Sequence, residues 1–142
     1  SYDVLGDAVS TAARIESKCK EYGCLLLVGE DTVKQCKDDF FFLKIDDLAV
    51  KGKSYGIGIY TVLDTEGVDI GAYLLAQKEH DRMHELYRAQ KFTQARKMCE
   101  DLKTEFDDRM TAYYEMWQAR CDFMARQDLP RDWNGVFVAD SK

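Results

Sequence analysis

The stretch Tyr2-Asp3-Val4-Leu5-Gly6-Asp7-Ala8-Val9-Ser10-Thr11-Ala12-Ala13-Arg14-Ile15-Glu16 decides how the first part of the chain is read. Tyr2 to Leu5 read as a strand end, Gly6 supplies a tight turn, and Asp7 stands at the N-cap position of a helix. Along that helix Ala8, Ala12, Ile15, Cys19 and Tyr22 recur at helical spacing and predict a buried stripe. Ser10, Arg14, Ser17 and Glu21 fall on the opposite face. Ser10 and Arg14 lie one helical turn apart, so a hydroxyl and a guanidinium project together over one point. Gly23 fits the C′ position that ends the helix.

Beyond Gly23, Cys24-Leu25-Leu26-Leu27-Val28 is a continuous apolar run of the kind that suits a central strand. Glu30 to Cys36 predict a short helix capped near Glu30 or Asp31. Phe40 to Val50 and Ile57 to Leu63 read as two strands flanking the turn-rich Lys51-Gly52-Lys53-Ser54-Tyr55-Gly56, which predicts a β-hairpin. Helix, strand, short helix, strand, strand is an α+β order.

From Asp64 to about Gly71 the pattern changes and a linker is expected. The remainder has helical period. Leu75, Met83, Leu86 and Tyr87 mark one helix; Phe92, Ala95, Cys99, Leu102 and Phe106 a second; Met110, Tyr113, Trp117, Cys121 and Met124 a third. The aromatic stripe of Tyr113, Tyr114, Trp117 and Phe123 reads as core. Pro130, the only proline, stops the third helix or lies just past it. Trp133 and Phe137 then predict a tail that folds back, since both rings are poorly placed in water.

A chain of 142 residues with 46% hydrophobic and 12% aromatic content can build a real core. Its net charge of −6 argues against a generic nucleic-acid or anionic-membrane surface, so any phosphate must be held by a few placed cations. The five cysteines, Cys19, Cys24, Cys36, Cys99 and Cys121, form no CxxC pair and read as free thiols of a reducing cytosol. His80 and His84 have metal-binding spacing on a helix but no third ligand nearby, so a surface or packing role is expected. No apolar run approaches a membrane span and no signal peptide is visible. The start at Ser1, running directly into a strand, suggests a piece of something longer.

The first motif resembles the second half of the catalytic domain of class III adenylate and guanylate cyclases, whose pattern is roughly Gly-Asp-x-Val-Asn-x-Ala-Ala-Arg-Leu-Glu. Val50-Lys51-Gly52-Lys53 is similar to the Val-Lys-Gly-Lys of the same family. The resemblance covers residues 1–64 and implies the C-terminal half of a ferredoxin-like nucleotidyl cyclase domain. Residues 65–142 would be an all-α extension, a helical hairpin or three-helix segment. Within it Tyr87-Arg88-Ala89-Gln90-Lys91-Phe92-Thr93-Gln94-Ala95 looks like the turn of a tetratricopeptide-like helix pair, and helices of this character follow the catalytic domain in some bacterial cyclases.

Carried over residue by residue, the resemblance puts Arg14 in the transition-state arginine position and Lys51 on the triphosphate. Asp3 takes the base-reading position, where a carboxylate can accept from the amino group of adenine and so favours ATP over GTP. Ser10 replaces the asparagine that orients the ribose; a serine is shorter and lacks the amide's two donors. By spacing alone Arg14 and Ser10 also suit a solvated helix face, Asp3 a strand edge and Lys51 an ordinary hairpin turn. The family binds two divalent cations, Mg²⁺ or Mn²⁺, through two aspartates that precede this region, one of them in a Phe-x-Asp-Ile-x-Gly-Phe type motif, which this chain lacks. The resemblance therefore implies the transition-state half of an adenylate cyclase site, inactive alone and completed in a homodimer. A catalytically silent cyclase-like dimerisation or regulatory module, its helices recruiting a partner, is the other reading that Ser10 leaves open.

Overall fold

The computed structural model describes residues 19, 21–24, 26–49 and 56–137. Cys19, Glu21 and Tyr22 are helical, and Gly23 (φ +66°) turns the chain out. The Cys24 amide closes this end on the Cys19 carbonyl at 3.0 Å, a Schellman-type stop with glycine at C′, as the sequence predicts.

Strands β1 (Val28–Gly29), β2 (Phe41–Ala49) and β3 (Gly56–Leu63) form an antiparallel sheet in the order β1-β3-β2. The predicted hairpin is present, with β2 and β3 paired from Phe41↔Leu63 to Ala49↔Gly56. The apolar run from Cys24 to Val28 is a different matter. Among the described residues of this segment only Val28 and Gly29 enter the ladder, and β1 is an edge among the described strands, with β3 central. The reason lies in its side chains and carbonyls. Leu26 stays 49% exposed, and its carbonyl is taken by the Thr61 hydroxyl at 2.6 Å rather than by a ladder amide.

Helix α1 (Glu30–Cys36) has the predicted span. Its N-cap is Gly29, without a side-chain cap, because the chain enters the helix directly from β1. Glu30 instead turns its carboxylate across the sheet to accept from the Gly58 amide at 3.2 Å.

Helix α2 (Ile70–Arg88) starts on Asp69, whose Oδ1 accepts from the Ala72 amide at 3.1 Å. Its buried stripe is Tyr73, Ala76, His80, Met83 and Tyr87. Leu75 is one residue out of phase with that stripe and is 65% exposed, contrary to its expected place in the core. The turn from Ala89 to Lys91 closes with Gln90 at φ +64° and the Lys91 amide on the Leu86 carbonyl at 2.8 Å. Helices α3 (Phe92–Leu102) and α4 (Thr111–Met124) follow, α3 packing on both α2 and α4. Tyr113, Tyr114 and Trp117 are buried as expected, but Phe123 is 46% exposed and rests edgewise on Phe137. Pro130 lies beyond the end of α4, and the tail folds back so that Trp133 meets Tyr87 and Phe92.

The result is an α+β fold with one buried cluster. Leu43, Ile45 and Ile59 of the sheet share it with Tyr73 and Met83 of α2, Cys99 of α3 and Tyr113 and Trp117 of α4. Apolar packing therefore runs without a break across residue 64.

Candidate functional site

The joint between sheet and helices is polar at its centre, and a single irregularity in β2 creates it. Lys44 pairs with Tyr60 and Asp46 with Ile59, leaving Ile45 as an extra residue in a β-bulge. Strict alternation would leave Asp46 beside Lys44 on the outer face. The bulge re-aims it inward, so Ile45 and Asp46 are both buried, at 0% and 3% exposure.

A carboxylate taken out of water must be paired. Tyr22 donates its hydroxyl to Asp46 Oδ2 at 2.6 Å, Arg120 Nη1 donates to the same oxygen, and the Asp47 amide donates to Oδ1 at 2.8 Å. The Arg120 guanidinium is stacked within 4.1 Å of the Phe137 ring centroid and 4.9 Å of that of Trp117. Burial works against its charge, but Asp46 and Tyr22 outweigh burial and raise the Arg120 pKa above its ordinary value. The Tyr22 hydroxyl is pushed up as well, first by burial and then by Asp46, so it remains a donor.

Carbonyls that β3 does not use are taken by the helices. Tyr113 donates its hydroxyl to Ile45 O at 2.6 Å, and Gln77 Nε2 donates to Phe42 O at 2.8 Å. His80 Nε2 lies 2.6 Å from Lys44 O, and a carbonyl only accepts, so the ring carries its proton on Nε2. Its Nδ1 is then free to accept from the Tyr114 hydroxyl at 2.7 Å. His84 Nε2 sits 3.0 Å from Tyr113 OH and donates to it, since the tyrosine proton is committed to Ile45. Burial lowers the His80 pKa to about 4 and, with His80 beside it, lowers that of His84 well below the ordinary value. Both rings are neutral packing elements, buried and not on the surface.

The sequence-predicted site residues Asp3, Ser10, Arg14 and Lys51 lie outside the described residues. Among the described residues no group of three or more His, Cys, Asp or Glu side chains is gathered for a metal ion. All five cysteines are free. Burial pushes the Cys24 and Cys121 thiols up to about 12 and Cys99 higher still, so these three are packing groups and not ligands or nucleophiles. An open groove between the end of α4 and the tail, lined by Met124, Asp128, Leu129, Trp133 and Phe137, has a carboxylate and no cation among its lining residues, which does not suit a polyphosphate.

The sequence reading missed Asp46 and Arg120. Only Arg120 carried a signal: it continues the buried series Tyr113, Trp117, Met124 at helical spacing, and a charge on a buried face asks for a partner. Asp46 carried none, because alternation along Phe41, Leu43 and Ile45 puts it on the outer face and only the bulge turns it in.

An α+β fold whose antiparallel sheet is tied to a helical unit is the class that fold and joint define. No family model matches the chain, and no solved structure matches it. Curated relatives do. The adenylate cyclase of Anabaena cylindrica is 45% identical over 62 residues, 42% of this chain and 12% of the relative. The terminal-differentiation specific adenylate cyclase of Dictyostelium discoideum is 41% identical over 68 residues, 46% of this chain and 3% of the relative. Adenylate cyclase 1 of Rhizobium meliloti (strain 1021) is 37% identical over 62 residues, 44% of this chain and 9% of the relative. The chain is thus related to adenylate cyclases over somewhat less than half its length. The matched stretch spans only 3–12% of the length of those relatives.

Proposed function

We propose that residues 1–64 are the C-terminal part of a class III nucleotidyl cyclase catalytic domain and that residues 65–142 are its helical extension. In the whole enzyme the ribose 3′-hydroxyl of ATP attacks its own α-phosphorus, the bond to the bridging oxygen breaks, and 3′,5′-cyclic AMP and pyrophosphate result. The observation that carries this reading is the 37–45% identity to adenylate cyclases, together with the Gly6-to-Glu16 motif.

Arg14 neutralises charge that builds on the α-phosphoryl oxygens, and positioning and charge neutralisation are most of what a protein contributes to phosphoryl transfer. Lys51 meets the triphosphate as a point charge. Asp3 accepts from the adenine amino group, and Ser10 reaches the ribose directly or through a water. Mg²⁺ or Mn²⁺ would polarise the phosphoryl oxygens when bound. The described residues gather no group of acidic, histidine or cysteine side chains that fits such an ion. We assign its ligands to the other half of the catalytic domain and the complete site to a homodimer in the cytosol. Among the described residues no helix is long and apolar enough to cross a membrane.

Turnover of ATP tests the assignment. The 142-residue chain alone is expected to make no cyclic AMP. Joined to a metal-binding cyclase half it should gain activity, and Arg14→Ala should then lower kcat by about 10²–10³ with little change in KM. An Arg14→Ala protein as fast as the parent removes Arg14 from the mechanism.

The second reading is a catalytically silent dimerisation or regulatory module with a helical partner-binding segment, and Ser10 is what favours it. Ser10→Asn separates the two: a rise in activity marks Ser10 as a handicap, and a loss marks a site adapted to serine.

A further inference from the structure

Among the described strands β2 is an edge, paired with β3 alone. The carbonyls of an edge invite the amides of a further strand. Here side chains of two helices take them, in order along the strand. From α2, Gln77 Nε2 donates to Phe42 O at 2.8 Å and His80 Nε2 to Lys44 O at 2.6 Å. From α4, the Tyr113 hydroxyl donates to Ile45 O at 2.6 Å and Arg120 meets the Asp46 carboxylate. Leu43 and Ile45 sit in the shared core, fully buried.

The donors are set by the helical unit itself. The Tyr114 hydroxyl holds His80 Nδ1, His84 holds the Tyr113 hydroxyl, and the Trp117 ring backs the Arg120 guanidinium. Helices α2 and α4 both pack on α3. Donors fixed in this way lose little freedom when a strand arrives. Three of the four contacts take backbone carbonyls and ask only for an extended chain. The fourth asks for a carboxylate, and the core asks for apolar side chains at the positions of Leu43 and Ile45. Strand recognition of this kind takes affinity from the backbone and specificity from alternate side chains.

We propose that the face shared by α2 and α4 is a binding site for an extended segment of the pattern Leu43-x-Ile45-Asp46, filled in cis by β2, and that its partner in trans is β2 of a second copy of this chain. The two units are joined through residues 64–69. Arg109 Nη1 holds the Asp64 carbonyl at the start of that link, but Glu66, Gly67 and Asp69 are exposed, and Gly67, at φ +76°, has open space around it. Opening there would let each unit be completed by the other copy through the same contacts. The link gives the cis strand a high effective concentration, so cis pairing prevails in dilute solution and trans pairing once the link is cut. These contacts do not depend on nucleotide chemistry, so the site stands apart from the cyclase reading.

A protease site inserted at Gly67 allows the folded 142-residue chain to be nicked, and size-exclusion chromatography with native mass spectrometry follows the two pieces. The nicked protein should stay associated at micromolar concentration. Mixed with a ¹⁵N-labelled nicked copy, in urea just below the unfolding midpoint and then diluted, it should yield complexes of one labelled and one unlabelled piece. Asp46→Asn and Arg120→Leu should each raise the Kd between pieces about 100-fold or more. Gln77→Glu, at a half-buried position, loses the donor to Phe42 and should raise it about tenfold. This last variant, with helical circular dichroism like the parent before nicking, decides the matter if the buried variants do not fold. Pieces that part on nicking, or that stay together without exchanging, overturn the trans site. A Kd for Gln77→Glu equal to the parent's overturns recognition by these side chains and leaves apolar packing as the whole joint.

Discussion

Replacing Arg120 by leucine removes one half of a charge pair whose two side chains are 4% and 3% exposed. Asp46 would keep the Tyr22 hydroxyl and the Asp47 amide, but no cation. Breaking a buried pair by deleting one partner costs about 3–5 kcal/mol, because the remaining charge is stranded. Loss of the stacking on Trp117 and Phe137 adds roughly 0.5–2 kcal/mol. Against a total stability of about 5–15 kcal/mol, a loss of this size leaves many such domains partly unfolded. Asp46→Asn combined with Arg120→Leu removes both charges and should recover about 1–3 kcal/mol of the sum of the single losses. Urea unfolding followed by tryptophan fluorescence and by helical circular dichroism measures both. Trp117 lies against the guanidinium, and the pair bridges β2 and α4, so the two signals should report a single transition. A loss under about 1 kcal/mol for Arg120→Leu, the range of an exposed pair, would refute the argument, as would strictly additive single and double variants.

Three further outcomes follow from the same geometry. His80 takes up a proton near 6.5 when unfolded and at about 4 when folded, so the folded state disfavours that proton. Stability is fully present above pH 6.5 and drains as pH falls towards about 4, at roughly 1.4 kcal/mol per pH unit, with His84 acting in the same direction. A urea midpoint that stays level over that window would contradict it. Tyr113→Phe strips the donor from the buried Ile45 carbonyl and the acceptor from His84, and should cost about 1–3 kcal/mol in the same unfolding assay; a neutral variant would mean that water replaces the hydroxyl. Gly23→Ala places a Cβ 2.8 Å from that of Ala112 at φ +66° and should lower Tm by several degrees, about 1 kcal/mol or more, whereas Gly67→Ala, also at positive φ but with nothing within 4 Å, should cost less.

The hairpin, the short helix over Glu30–Cys36, the glycine stop at Gly23 and the three later helices were legible because each rests on local period and turn chemistry. The failures share a cause. Leu75 and Phe123 are apolar residues on good helices, yet a helix buries only the face its neighbours reach, and both stand outside it. Cys24 to Val28 has the composition of a buried strand, but strand identity depends on ladder partners; among its described residues Val28 finds one in β3, while the Leu26 carbonyl goes to the Thr61 hydroxyl. The candidate site was legible only as motif. Asp3, Ser10, Arg14 and Lys51 rest on pattern and on similarity to adenylate cyclases, while Asp46 and Arg120 surfaced through burial.

Sequence by itself determined the helices, the two strands of the hairpin and which relatives the chain has, since all are written in residues close together along it. Only the tertiary structure decided that the helical unit is welded to the sheet. That outcome hangs on one extra residue, Ile45, which turns an aspartate inward, and on an arginine far along the chain that meets it there. No local period encodes such a meeting, because the register between strands and the packing of distant helices exist only once the chain has folded.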